Sequence, residues 1–162
     1  MRIKYVAPLG TLQIAAQDGC ITELYFMGGF VTPPDFDEGN HSEAKPEDEA
    51  VLKECTRQLD SYFAGTLKEF NLPLNAVGTP FRMKVWEALQ GIPYGETISY
   101  KELAVRIGNP KAVRAVGGAN HHNPINIIIP CHRVIGAGGQ LTGYGGGMGN
   151  KEFLLGLERK ST

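Results

Sequence analysis

Of the three cysteines in this 162-residue chain, Cys20, Cys55 and Cys131, only Cys131 stands among residues that could activate it. It follows the run Ile127-Ile128-Ile129-Pro130 and is followed at once by His132 and Arg133. Three β-branched residues in succession read as a buried strand or another fully buried segment, and proline cannot extend a ladder. Cys131 is therefore expected where buried structure stops, at a rim rather than deep in a core. The thiolate is the reactive form of cysteine, and the imidazole and guanidinium beside it would favour that form electrostatically. Taken alone, the pair reads more readily as a small apolar filler with a chance histidine next to it. Cys20 and Cys55 bring the count to an odd number without a C-x-x-C spacing, which indicates neither a disulfide framework nor a zinc knuckle.

The elements around Cys131 must deliver it to something. Residues Met1 to Met27 alternate and turn like a small antiparallel sheet, with Asp18-Gly19 as the hairpin signal between Thr11–Gln17 and Cys20–Phe26, and Pro8-Leu9-Gly10 as an earlier turn. Gly28 to Glu49 is acidic and reads as a surface loop. From Pro46 a helix is expected with Leu52, Cys55, Leu59, Tyr62 and Phe63 inward, ending near Gly65. That spacing makes Cys55 a core residue, and the hairpin makes Cys20 a strand residue. Glu69 to Leu74 is a candidate further strand, and the stretch Asn75 to Gly78 a boundary between two domains, 1–78 and 79–162.

The second half opens with Thr79-Pro80 as a helix start carrying Phe81, Val85 and Leu89 on one stripe, and Trp86 reads as core or domain-interface packing. Ser99-Tyr100-Lys101-Glu102 has the capping-box pattern, with Leu103 and Ile107 inward and Gly108 past the end. Asn109-Pro110 is expected to cap a second helix at once, so the two form a helix-turn-helix or a plain helical corner. That second helix is slim, with Ala112, Ala115, Gly117, Gly118 and Ala119, and its long cations are Lys111 and Arg114. Glycine costs about 1 kcal/mol relative to alanine in a helix interior, so the pair implies close approach of another surface. Two glycine-rich loops, 136–139 and 143–147, follow, and Lys151 to Leu157 reads as a last helix.

Charge divides with the halves. Residues 1–78 carry 6 Lys+Arg against 12 Asp+Glu, whereas residues 79–162 carry 10 against 5 and hold no aspartate. A basic half bearing the cysteine suits a polyanion, although an ordinary dipolar protein reads the same way. No run approaches the roughly 18 apolar residues of a membrane span, and the N-terminus lacks a signal core, so a soluble cytoplasmic protein is expected.

The combined pattern R-A-V-G-G-A-N, N-P-I, I-P-C-H-R-V-I-G and L-T-G-Y-x-G-G resembles the O6-alkylguanine-DNA alkyltransferase family in its stand-alone form. The resemblance implies an α/β (α+β) protein with a ribonuclease-H-like N-terminal sheet-plus-helix domain and a winged-helix-like C-terminal domain with a helix-turn-helix. It also implies that O6-alkylguanine, and by extension O4-alkylthymine, is flipped from double-stranded DNA and its alkyl group moved irreversibly to Cys131. His132 would take the thiol proton through a water, Glu158 would orient the imidazole, and Tyr100 would rotate the phosphate and assist the leaving group. Arg114 would fill the gap left in the base stack. Together with Lys111, Ala115, Gly118 and Arg133 it would lie on the DNA, in the minor groove. Asn123 would support the turn between the two central segments. Val134, Tyr144, Gly145 and Gly146 would form the alkylguanine pocket, with the carbonyls of Cys131 and Val134 accepting from the guanine amine and the Gly145 amide facing O6. The implied protein is a monomer of the bacterial or archaeal cytosol that uses no metal or cofactor. The extra glycines of 145–147 suggest a looser pocket wall, and of Asn120, His121 and His122, which stand before Asn123, the two histidines are expected to face solvent or DNA, adjacent histidines lacking the same-face spacing of metal ligands.

Two other classes remain open on the residues themselves. One is a noncatalytic winged-helix reader of damaged DNA; the other is a Cys-His hydrolase that passes through a thioester.

Overall fold

The structure, a computed structural model, describes residues 1–27, 45–139 and 147–161. Residues 28–44 of the expected acidic loop lie outside these residues, and its last four, 46–49, are helical; Tyr144, Gly145 and Gly146 also lie outside. The N-terminal sheet forms as its turns dictate: β1 (Arg2–Ala7), β2 (Gly10–Gln17) and β3 (Cys20–Phe26) pair antiparallel in the order β1-β2-β3. Asp18 and Gly19 take φ of 51° and 77°, the left-handed pair that a two-residue hairpin turn needs. Helix α1 (Pro46–Phe63) lays Leu52, Cys55, Leu59 and Tyr62 into the core, and Gly65 follows at φ 78°.

The open edge of β3 does not stay open. Ile21 bridges Leu74, with its N–H on the Pro73 carbonyl at 2.8 Å. The stretch expected as a further strand is thus a single bridge. Leu24 bridges Ile125, donating to the Pro124 carbonyl and accepting from the Asn126 N–H at 2.9 Å. A strand edge seeks partners for its free amides and carbonyls, and here the chain at 73–75 supplies those of Ile21 and the C-terminal half, beside the cysteine loop, those of Leu24.

In that half Thr79 caps α2 (Pro80–Leu89), its hydroxyl accepting from the Arg82 N–H at 3.2 Å. Trp86 is buried on α2, and its indole N–H reaches the Ala119 carbonyl at 2.8 Å. A two-residue strand β4 (Ile98–Ser99) runs straight into α3 (Tyr100–Arg106), capped by Ser99 on the Glu102 N–H. The Glu102 carboxylate turns to Arg106 rather than completing the box. Helix α4 (Val113–His121) starts three residues later than expected. The Asn109 carbonyl accepts from the Ala112 N–H, so Asn109-Pro110 makes a turn of its own first, with proline in its favoured second place. The chain then passes through a buried turn, a 3-10 turn at Cys131–Arg133 and β5 (Val134–Ile135), which pairs parallel with β4. Helix α5 (Met148–Lys160) closes the site, longer at both ends than the sequence suggests. Among the described residues no helix is long and apolar enough to cross a membrane.

Candidate active site

The β4-β5 pair decides what meets what. With Ile98 opposite Val134, the strand leading into Tyr100 lies beside the strand leaving Cys131–Arg133. Upstream, the Ile127–Ile129 run is a buried turn, and Ile127 sits at φ 69°, a region that β-branched residues avoid. Such strain persists only where surroundings over-determine it. Asn123 does so: its side-chain amide donates to the carbonyls of Ile129 (2.8 Å) and Ile125 (3.3 Å), and its oxygen accepts from the Ile125 N–H (3.0 Å). The side chain expected to support the turn is therefore bonded across it.

Cys131 is not at a rim. It is 1% exposed, because the 3-10 turn after Pro130 folds back beneath α5. Burial pushes its thiol up to about 11, opposed by the Asn123 amide, the charge of Lys151 and the backbone amides of Cys131 and His132. His132 and Arg133, expected to favour the thiolate, are each bonded to a carboxylate from the last helix. Both side chains face Glu158, which is 1% exposed on α5. His132 Nε2 lies 2.5 Å from Glu158 Oε2, and Arg133 donates to the same carboxylate from Nε (2.8 Å) and Nη2 (3.2 Å). A third Arg133 bond reaches the Ile92 carbonyl at 2.7 Å. The expectation that Arg133 lies on DNA is thereby corrected: its guanidinium is spent inside the protein.

Burial holds the His132 imidazolium down, outweighing the favourable Glu158 beside it, so the ring is neutral. Its Nε2–H then donates to Glu158, and Nδ1 is left as the basic nitrogen, buried with no hydrogen-bond partner among the described residues. Burial by itself would raise the Glu158 carboxyl, but His132 and Arg133 together hold it well below the usual carboxylate range. The result is an ionised acid behind a neutral base.

Two members of this cluster were invisible as site residues in the sequence. Tyr62 comes from α1 in the N-terminal half, wholly buried, and donates to Glu158 Oε2 at 2.6 Å. A tyrosine on a buried stripe needs an acceptor for its hydroxyl, which was the available signal. Lys151, also wholly buried, donates to the Val134 carbonyl at 2.6 Å and stands 6.0 Å from the centre of the Tyr100 ring. Burial lowers its ammonium to about 8, with the Cys131 charge opposing. Lys151, Leu154, Leu155 and Glu158 share one inward stripe, so the helical spacing that marks the apolar pair marks both charges too.

The remaining expected residues divide cleanly. Lys111, Arg114, Ala115 and Gly118 are all exposed, spaced so that they share one side of α4 and the turn before it. A side chain at Gly118 would meet nothing within 4 Å among the described residues, so no described surface explains its smallness; Gly117 instead lies under the Tyr100 ring. Asn120 is buried and donates to the Cys131 carbonyl at 3.3 Å, while His121 is half-buried and His122 exposed. The carbonyls of Cys131 and Val134 thus each hold a protein donor, with a second lone pair left. No three His, Cys, Asp or Glu side chains converge as metal ligands among the described residues.

Residues 80–160 match the family described as 6-O-methylguanine DNA methyltransferase, DNA binding domain, and residues 2–76 match 6-O-methylguanine DNA methyltransferase, ribonuclease-like domain. A methylated-DNA–protein-cysteine methyltransferase of Methanosarcina acetivorans is 49% identical over 156 residues, covering 95% of each chain. The constitutive one of Bacillus subtilis is 47% identical over 157 residues, 95% of this chain and 92% of its own. Among solved structures, Mycobacterium tuberculosis OGT in complex with DNA superposes with a TM-score of 0.83 at 44% identity, over 98% of this chain and 92% of that one.

Proposed function

This chain belongs to the 6-O-methylguanine DNA methyltransferase family, and on that premise we propose that it repairs DNA by direct reversal, moving the alkyl group of O6-alkylguanine onto Cys131 once per molecule. The observation that carries the assignment of roles is the buried contact between His132, the residue after Cys131, and the carboxylate of Glu158 on α5. A thiol held up by burial cannot attack until it loses its proton, and a neutral imidazole is the group able to take it. His132 Nδ1 receives that proton through a water. The thiolate then attacks the alkyl carbon, the S–C bond forms and the C–O6 bond breaks, and the departing guanine is stabilised by the Tyr100 hydroxyl. Lys151 supports the thiolate by charge and steadies the Val134 carbonyl beside it. Glu158 keeps the ring in its working tautomer. Tyr144, Gly145 and Gly146 complete the pocket in this reading, with Asn123 holding the turn that presents Cys131.

Double-stranded DNA meets the exposed side of α4 from its minor groove. Arg114 takes the place of the flipped base, while Lys111 contacts the backbone. Ala115 and Gly118, small on an open surface, permit the close approach a groove requires. Unstacking a base costs a few kcal/mol, and filling the gap offsets part of it. The reading makes residues 1–78 a supporting half and 79–162 the DNA-binding and transfer half of a monomer, at work in the cytoplasm of a bacterial or archaeal cell. Incubation with duplex DNA carrying labelled O6-methylguanine tests it. The label moves to protein at no more than one per molecule, and Cys131→Ser takes none. Repeated turnover, or undiminished label on the serine variant, would overturn the assignment.

A further inference from the structure

Asn126 has no part in the roles above, yet its side chain touches the sulfur. It is 6% exposed, and Cys131 Sγ lies 3.5 Å from its Oδ1, within reach for a thiol donor. The orientation of the amide is fixed by its other end. Nδ2 donates to the Leu24 carbonyl on β3 at 2.9 Å and to the Asn123 carbonyl at 3.3 Å. Turning the amide over would set Oδ1 against two carbonyl oxygens, so the atom facing the sulfur is an acceptor. The backbone is pinned as well, since the Asn126 N–H also bonds the Leu24 carbonyl at 2.9 Å.

An acceptor so placed stabilises the thiol and opposes the thiolate. Once the proton leaves Sγ, two filled lone pairs face each other, and the amide cannot rotate away without abandoning two buried hydrogen bonds. Opposite pulls come from the Asn123 amide and from Lys151. We propose that Asn126 is a latch on the nucleophile: its oxygen, held in place by the N-terminal sheet at Leu24, keeps Cys131 protonated and sets the threshold for thiolate formation. The N-terminal half thus reaches the reacting atom itself, through a single amide. The inference rests on Cys131 being the nucleophile. Its consequence is restraint, because a sulfur kept as thiol reacts slowly with small electrophiles.

The test is the pH midpoint for modification of Cys131 by iodoacetamide in the full-length protein, with the modified peptide identified by mass. Reading the midpoint rather than the amplitude separates ionisation from access. Asn126→Ala removes the acceptor, and Asn126→Ser offers a hydroxyl that can turn and donate to the thiolate. Both lower the midpoint, with the serine variant down by about one pH unit, a tenfold gain in thiolate at pH 7. Asn126→Asp, nearly isosteric, moves it up. A midpoint unmoved or raised in the alanine and serine variants, or moved the same way in all three, would overturn the latch, since a packing role alone gives no opposite signs. If wild-type protein transfers methyl from DNA to Cys131 while these midpoints stay put, the latch fails and the proposed function stands. If no transfer to Cys131 occurs, it is the function that fails.

Discussion

Replacing Glu158 with glutamine removes one charge and almost no volume, from a side chain that is 1% exposed. In the native protein that carboxylate accepts from His132, Tyr62, Arg133 twice and the Gly95 amide. The variant leaves the Arg133 guanidinium, its side chain 8% exposed, without a counter-charge. Breaking one member of a buried ion pair costs about 3–5 kcal/mol. The Ile92 carbonyl still holds one arm of Arg133, and the glutamine oxygen can still accept one bond, which places the expected loss near the lower end. At roughly 2–4 °C per kcal/mol for a chain of this size, the melting temperature falls by about 6–12 °C. Urea unfolding reads the same loss as a lower midpoint with an unchanged slope. Adding Arg133→Met to Glu158→Gln removes the orphaned cation, so the double variant loses less than the two single losses combined, by more than about 1 kcal/mol. Methyl transfer falls in Glu158→Gln even where the protein is fully folded, because the imidazole loses the anion that fixes its tautomer. A stability loss under about 1 kcal/mol, or additive single losses, would refute the claim that one carboxylate joins helix α5 to the cysteine loop.

Lys151→Met takes away a cation whose charge favours the thiolate and raises the thiol further. Since an opposite charge nearby shifts a pKa by about 1–3 units, single-turnover transfer at pH 7 slows at least about tenfold, and an unchanged rate would count against the role. The buried neutral His132 makes acid the destabilising direction. Its folded pKa lies below its ordinary 6.5, so the unfolded chain binds a proton first as pH falls, and stability declines below about pH 6.5. Glu158, also depressed, adds to the loss at lower pH still; the acid midpoint of transfer falls below pH 6.5, and one at or above that value contradicts a neutral base. Arg114→Ala, on an exposed face, changes stability by less than about 0.5 kcal/mol. It slows transfer from duplex DNA while leaving transfer from free O6-methylguanine base untouched, and equal slowing of both would move Arg114 from DNA handling into the chemistry.

The turns and helix starts were the most legible parts of the chain, because single residues decide them. Asp18-Gly19, Thr79-Pro80 and Ser99 each do what their side chains require. The start of α4 was not, since Asn109-Pro110 serves a turn as well as a helix cap, and only the fold chooses. At the site, the immediate neighbours of Cys131 left it readable as a filler, and the company of Tyr100, Arg114, Asn123 and Tyr144 marked it as a nucleophile; in the structure His132 and Arg133 are bonded to Glu158, 26 and 25 residues away. Immediate neighbours point different ways along a turn, so adjacency in the chain says little about adjacency in space. Lys151 and Tyr62 were hidden for another reason. Each occupies an inward helical position where sequence reasoning expects apolar packing, and their partners, Val134 and Glu158, lie 17 and 96 residues away. Asn126 was hidden more deeply still, its function set by a strand 102 residues before it.

The most direct measurement is the mass of the protein, intact and as peptides, after exposure to excess duplex DNA carrying O6-methylguanine. One added methyl group per molecule, on the peptide holding Cys131 and on neither Cys20 nor Cys55, with unmodified guanine left in the DNA, is the predicted result. An unmodified Cys131 beside repaired DNA, or a methyl group on another residue, would contradict it.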